Sequence, residues 1–410
     1  MTDSNNNINV LSIFLNNTRD SVNYTIDATS VESLYFIEDI FSFCMIGKIK
    51  FIDYGDIMRT GNFWGYQTET LTLVYGDPED EDVTKTFYIY KINKQIPLNG
   101  ELSKNNIYEI TFVSQLYYRW HYKQYSLSFN NKKISDILKH IMKYMVGGTF
   151  VNFEASNETI PLFYTGLKSP AENFRYLMER ATGVDTKKPG YLCFENLDGY
   201  NLITLPKLMN DTVPLMKPKD GDNVKYWFFT NNTWVKNKVM SFEREGVDNG
   251  SMQRLAGGYR MGYDIMRKKN ILQKYTYKDC RKKFKDNFLG KAEFPLLDPD
   301  FSTGTDKYIK TGESNEIFID NIYYNSWLKQ YSNQQLFSLY VKGHQDRKAG
   351  GVIRIEFPAD VEHKYNNNFN GKFFVKSVVH YFYKDKNPYY NQKLILIKNA
   401  YDGRNLKYEE

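Results

Sequence analysis

The 410-residue chain sets 54 Lys and Arg against 48 Asp and Glu, for a formal net charge of +6. With 41% hydrophobic and 25% charged residues and a mean hydropathy of −0.58, it holds enough apolar surface for several cores and too little for a membrane span, so disorder and membrane insertion are both poor readings. Aromatic residues reach 16%, from 34 Tyr, 28 Phe and 5 Trp, and favour strands, whose pleated, half-buried surface accommodates rings.

The length implies more than one domain. The opening Met1-Thr2-Asp3-Ser4-Asn5-Asn6-Asn7 lacks the basic start and apolar core of a secretory signal, so export is not expected. Cys44, Cys193 and Cys280 are far apart and form no CxxC pair, which reads as buried thiols in a reducing compartment. From 31 to about 114 the chain reads as strands at 34–37, 44–52, 69–75, 86–92 and 108–113, broken by Gly, Asp and Pro, a compact antiparallel unit of small-barrel type. Between the third and fourth lies Gly76-Asp77-Pro78-Glu79-Asp80-Glu81-Asp82, whose turn chemistry puts Asp77, Glu79, Asp80, Glu81 and Asp82 at an exposed hairpin tip. The alternating ligand spacing of a calcium-binding EF-hand is missing there.

Near 126 the period changes from two to 3.6. Ile134, Ile137, Leu138, Ile141 and Met145 mark one face of an amphipathic helix ending at Gly147-Gly148. Ser169-Pro170-Ala171-Glu172 is a capping box with Pro at the first helical position; Phe174, Leu177, Met178 and Ala181 form the stripe behind it, and Gly183 is the expected stop. Strands are expected at 149–153 and 162–164, then a hairpin of 191–194 and 200–205 turning at Asn196-Leu197-Asp198-Gly199. From 208 to 335 the pattern is irregular, with one basic stretch: Arg267, Lys268, Lys269, Lys274, Lys278, Arg281, Lys282, Lys283, Lys285 and Lys291, interleaved with Tyr275, Tyr277 and Phe284. It reads as a solvated, partly helical face; stacking on single-stranded nucleic acid is the competing reading. Strands return at 336–341, 352–357, 373–381 and 392–398, with an Asn-rich loop at 365–371, and loosely echo the rhythm of the first unit.

The five histidines, His121, His140, His344, His363 and His380, form no HExxH, and neither GxSxG nor a Walker-type loop occurs. His380 falls inside a strand and reads as structural. Carboxylate pairs such as Glu154 with Glu158 leave a glycosidase-like hydrolase open by composition. Catalytic, cofactor-binding and metal-ligating residues are accordingly expected to be none.

A family resemblance runs through the chain. Leu34-Tyr35-Phe36-Ile37-Glu38-Asp39-Ile40, Gly47-Lys48-Ile49-Lys50-Phe51-Ile52-Asp53 and Glu69-Thr70-Leu71-Thr72-Leu73 begin it, followed by Tyr108-Glu109-Ile110-Thr111-Phe112-Val113-Ser114-Gln115 and Lys168-Ser169-Pro170-Ala171-Glu172-Asn173-Phe174. Ile353-Arg354-Ile355-Glu356-Phe357-Pro358, Gly371-Lys372-Phe373-Phe374-Val375 and His380-Tyr381-Phe382 close it. In order and spacing these resemble the central tail-hub proteins of tailed bacteriophages, the family of the T4 baseplate hub. The resemblance implies a mainly β fold with α+β insertions: a first tube-like antiparallel β-barrel domain at 1–118, a small α+β domain at 119–207, an irregular connecting domain at 208–335 that contributes to the second barrel, and a second tube-like barrel at 336–410.

It further implies a non-enzymatic homotrimer, a pseudo-sixfold ring joining the tail tube to the central spike around a DNA channel. Other baseplate proteins and the tape-measure protein are the further partners implied. The expected location is the virion tail, assembled in the host cytoplasm, with DNA met only in transit, no cofactor and no membrane insertion. The same architecture serves injection machines such as type VI secretion systems. A channel lined with cations would retard DNA, so Arg267, Lys268, Lys269, Arg281, Lys282 and Lys283 are expected to face outward or toward a partner chain. The alternative function is a tail-associated cell-wall or glycan hydrolase.

Overall fold

A computed structural model describes residues 10–64, 68–76, 82–95, 106–210, 227–228, 239–244, 257–264, 266–284, 308–310, 315–332, 336–345, 347–356, 371–383 and 389–398. The fold is mainly β. Its first unit comprises β1 (Val10–Asn17), β2 (Val22–Ile26), β3 (Val31–Asp39), β4 (Ile46–Asp53), α1 (Ile57–Thr60), β5 (Glu69–Tyr75), β6 (Val83–Gln95) and β7 (Asn106–Ser114), with the strands side by side in the order β2-β1-β5-β6-β7-β4-β3. Strict alternation builds it: on β4, Gly47, Ile49, Phe51 and Asp53 are buried, while Lys48 and Lys50 point outward to Glu109 and Glu32. The inward residues join Leu34, Phe36, Leu71, Leu73, Phe87, Ile89 and Phe112 in one core. Gly47 is required there, because a Cβ would run into the Phe112 ring and the Tyr35 carbonyl.

The α+β unit follows α2 (Tyr117–His121). Here β8 (Ser128–Lys133) leads into α3 (Ile134–His140), which runs on as a π-helical turn over Ile141–Val146 and stops at Gly147 with φ 83°. All five residues of the expected stripe are buried. After β9 (Phe150–Phe153) and β10 (Thr159–Tyr164), which pairs with β8, comes α4 (Pro170–Met178). The Ser169 hydroxyl accepts from the Glu172 N–H, and the Glu172 carboxylate accepts from the Ser169 N–H, as the capping box requires. Ser169→Ala should therefore cost about 1 kcal/mol, read as a small fall in thermal midpoint. The helix ends at Met178 rather than at Gly183, which bridges to Ser156 and lies against Glu154. Then β11 (Tyr191–Asn196) and β12 (Gly199–Thr204) form the expected hairpin, with β9 parallel to β12, and α5 (Leu205–Asn210) follows.

The segment read as irregular holds regular elements: β13 (Trp227–Phe228), β14 (Val239–Arg244), a hairpin of β15 (Gly257–Asp264) and β16 (Lys269–Thr276), α6 (Tyr277–Lys283), β17 (Tyr308–Lys310) and α7 (Glu316–Ser332). Helix α7 escapes sequence reading because it is buried on several sides. Ile319, Tyr323, Trp327 and Leu328 are interspersed with the equally buried Asn321 and Asn325, so no clean apolar stripe results. Those asparagines donate to the Arg180 and Met178 carbonyls, satisfying the C-terminal end of α4.

The last unit consists of β18 (Leu336–Lys342), β19 (Val352–Glu356), β20 (Gly371–Tyr383) and β21 (Tyr389–Ile397). Its strands run β14-β18-β21-β20, and β20 then pairs antiparallel with β3, from Ser377↔Asp39 to Tyr383↔Ser33. The two β units thus meet edge to edge in one sheet of 13 described strands. The Asn-rich loop at 365–371 lies, but for Gly371, outside the described residues. All three cysteines are free and buried, and burial pushes the Cys280 thiol up to about 12.

Candidate functional site

Two seams hold the units in a fixed relation. At the first, Glu195 of β11 accepts from the Met45 N–H and the Tyr200 hydroxyl, both at 3.2 Å, while Phe43 stacks on Trp120 at 4.7 Å inside the α+β core. Burial raises the Glu195 carboxyl above its ordinary range, outweighing the opposing hydrogen bonds from Ser114 and Met45. A folded-state value above the unfolded one means stability that is fully present below the unfolded value, about 4.3, and lost as pH rises through the folded value. Glu195→Gln should therefore melt higher than the parent at neutral pH, with the difference shrinking as the buffer is acidified.

The second seam lies where β3 meets β20. His380 Nε2 is 3.0 Å from Glu38 Oε1, and His380 Nδ1 is 2.6 Å from the Tyr390 hydroxyl. Gln392 donates through Nε2 to the Tyr390 hydroxyl at 2.9 Å and to the His344 carbonyl at 2.9 Å, and accepts from Arg347 Nη1 at 3.0 Å. The second Glu38 oxygen accepts from the Ala349 N–H at 3.0 Å. Glu38, His380 and Gln392 are wholly buried, and the His380 ring stacks on Phe36 at 4.2 Å.

Burial, reinforced by the Glu38 charge, pushes the Tyr390 hydroxyl far above its ordinary range. Tyr390 thus stays protonated. Because its oxygen already accepts from Gln392, its proton goes to His380 Nδ1, which leaves Nε2–H to donate to Glu38. A carboxylate, a histidine and a hydroxyl in line suggest a proton relay, yet every member is sealed in the core. The arrangement serves as a lock between the units, in keeping with the structural role read for His380. A signal for Glu38 was present in the sequence: on β3 it shares the inward face of Leu34 and Phe36, where a carboxylate requires a partner.

The carboxylates weighed for hydrolysis are likewise engaged. Glu154 is buried and accepts from the Thr204 N–H at 2.9 Å and the Thr204 hydroxyl at 2.8 Å. Glu158 accepts from the Thr182 N–H at 2.7 Å and from Asn321 Nδ2 at 3.1 Å. Both tie loops to neighbouring elements through these bonds.

The structure distributes the basic stretch over three places. Arg267 and Lys268 occupy the β15–β16 turn, Lys269 begins β16, and Arg281, Lys282 and Lys283 lie on α6. Arg267, Lys268, Lys269 and Lys282 are exposed, whereas Lys283 is half-buried over the Tyr324 ring at 3.9 Å. The interleaved Tyr275, Tyr277 and Phe284 are buried, Tyr275 stacked on Tyr323 at 3.8 Å and Phe284 on Trp327 at 5.6 Å. Those rings are consequently withdrawn from any stacking with bases. Lys285 and Lys291 lie outside the described residues, as do Asp77, Glu79, Asp80 and Glu81 of the acidic tip; Asp82, which flanks it, is exposed.

Among the described residues no helix is long and apolar enough to cross a membrane. No protein-family profile matches the sequence, and no curated protein matches it. Solved structures do. A tail protein from Neisseria meningitidis aligns over 94% of this chain and 96% of its own at TM-score 0.58 and 9% identity. The 43 kDa tail protein of prophage MuSo2 from Shewanella oneidensis aligns over 94% and 98% at TM-score 0.57 and 10% identity. An Escherichia coli type VI secretion component aligns over 91% and 75% at TM-score 0.46 and 9% identity. The chain has the fold of phage tail proteins.

Proposed function

We propose that this chain is a structural protein of a phage-type tail, acting as its hub. The observation that carries the reading is the fold correspondence with two phage tail proteins over nearly the full length of all three chains. In this reading the two β units fused through β3 and β20 are the tube-forming parts, within the division 1–118, 119–207, 208–335 and 336–410, and three chains set six similar surfaces around a DNA channel. The tail tube protein binds one side of the ring and the central spike the other, with further baseplate and tape-measure proteins as neighbours. The protein then resides in the virion tail after assembly in the host cytoplasm, and it is not an enzyme.

The sealed lock at Glu38 and His380 supports this, because a ring that transmits load needs its two β units held in one register. The rival, a tail-associated cell-wall or glycan hydrolase, loses its named pair, since Glu154 and Glu158 are both committed to loop hydrogen bonds. The test is the mass of the purified protein in solution across a concentration series: a trimer supports the hub, and a strict monomer that releases sugar from cell wall overturns it.

A further inference from the structure

The β15–β16 hairpin turns one face to the molecule and one away. Cross-strand pairs Gly258↔Tyr275 and Arg260↔Gln273 lie on the inner side, against α7. Met261↔Leu272 and Tyr263↔Asn270 alternate to the outer side, where Leu272 is 54% and Tyr263 48% exposed, with Met266 at the turn 92% exposed. Around this apolar centre stand the exposed Arg267, Lys268, Lys269 and Lys274. The hairpin carries Arg260 and these four cations against Asp264 alone, a surplus of four positive charges. Asp264 is already engaged, accepting from the Met266 and Arg267 N–H groups and facing the Arg267 guanidinium at 3.7 Å. A large apolar centre rimmed by one sign of charge is the anatomy of a docking surface for an acidic partner.

The same chain contains the complement. Residues 76–82 hold five carboxylates and no cation, and the pair Tyr75↔Val83 at the ends of β5 and β6 fixes where that segment emerges. We propose that the β15–β16 hairpin of one protomer docks the acidic segment 76–82 of a second copy. The two surfaces are different parts of one chain, so the contact is heterologous, and heterologous contacts of identical subunits close into rings when the rotation permits. The cations steer and fix the register, while Tyr263, Leu272 and Met266 supply the desolvated centre. The inference rests on the trimer reading above.

The test uses the full chain in three forms: Lys268→Glu with Lys269→Glu and Lys274→Glu; Glu79→Lys with Asp80→Lys and Glu81→Lys; and both sets together. Sedimentation at low salt should show each single set raising the concentration for half-assembly by about tenfold or more, with the combined set returning toward the parent. Added salt should weaken the parent in the same direction. The Gln counterparts of the first set, with circular-dichroism melts on every variant, separate lost assembly from lost folding. A parent trimer indifferent to both reversals removes this contact and leaves the ring standing. A combined set no better than the single sets also overturns the pairing. A parent that is monomeric at every concentration removes the trimer, and the contact with it.

Discussion

Glu38→Ala should lower stability by about 3–5 kcal/mol, the scale for leaving two buried donors without an acceptor and a cavity in a packed core. The loss has two named sources. His380 Nε2–H and the Ala349 N–H both lose their acceptor in a site without water access, and the deleted side chain leaves a cavity beside Phe36. In a chain of this size the midpoint of thermal unfolding should fall by about 3–6 degrees. His380→Ala should behave similarly, because it strands Glu38 and the Tyr390 hydroxyl together. The double variant Glu38→Leu with His380→Phe, which removes both facing polar side chains and keeps the volume, should recover part of the loss, the Ala349 N–H still lacking its acceptor. A Glu38→Ala protein melting within about two degrees of the parent would show that the β3–β20 seam does not depend on this lock.

The solution mass should come out near three times 48.4 kDa, roughly 145 kDa, at micromolar concentration. The sheet leaves β2, β14 and, on the branch through β19, β13 as its terminal strands among those described, each with one edge unpaired there. Open edges are templates for association, and a structural protein avoids uncontrolled pairing by covering them within a closed assembly. In the proposed trimer, two β units per chain would set six surfaces around the axis, suited to a junction of sixfold and threefold parts. A light-scattering series would show a plateau at the trimer mass, falling only on strong dilution. A single species of monomer mass throughout would remove self-assembly from the proposed function and leave any ring to be imposed by partner chains.

Much of the fold was readable in advance where a single local rule decided the outcome. The alternating strands of the first and last units, the capping box at Ser169 and the stop at Gly147 all depend on neighbours a few residues away. The misses have equally definite causes. β1 and β2 lie in an Asn-rich segment whose few inward residues, Ile13, Leu15 and Ile26, give a weak alternation. Helix α7 hides its period behind buried asparagines that bond to the end of α4, a partner more than 140 residues away. Of the basic stretch, the sequence showed the charge, but not that its interleaved Tyr275, Tyr277 and Phe284 turn inward.

By itself the sequence determined the mainly β character, the α+β insertion and its helices, and an ordered set of degenerate motifs pointing to tail hubs, because period, capping and turn chemistry are local. Only the tertiary structure decided that the two β units share one sheet through β3 and β20, and that Glu38, His380, Tyr390 and Gln392 form one buried network. It also decided that Glu154 and Glu158 accept from Thr204 and Thr182 in turn. The physical reason is separation along the chain. Glu38 and His380 are 342 positions apart, so their pairing follows from the register of two distant strands, which no local pattern encodes.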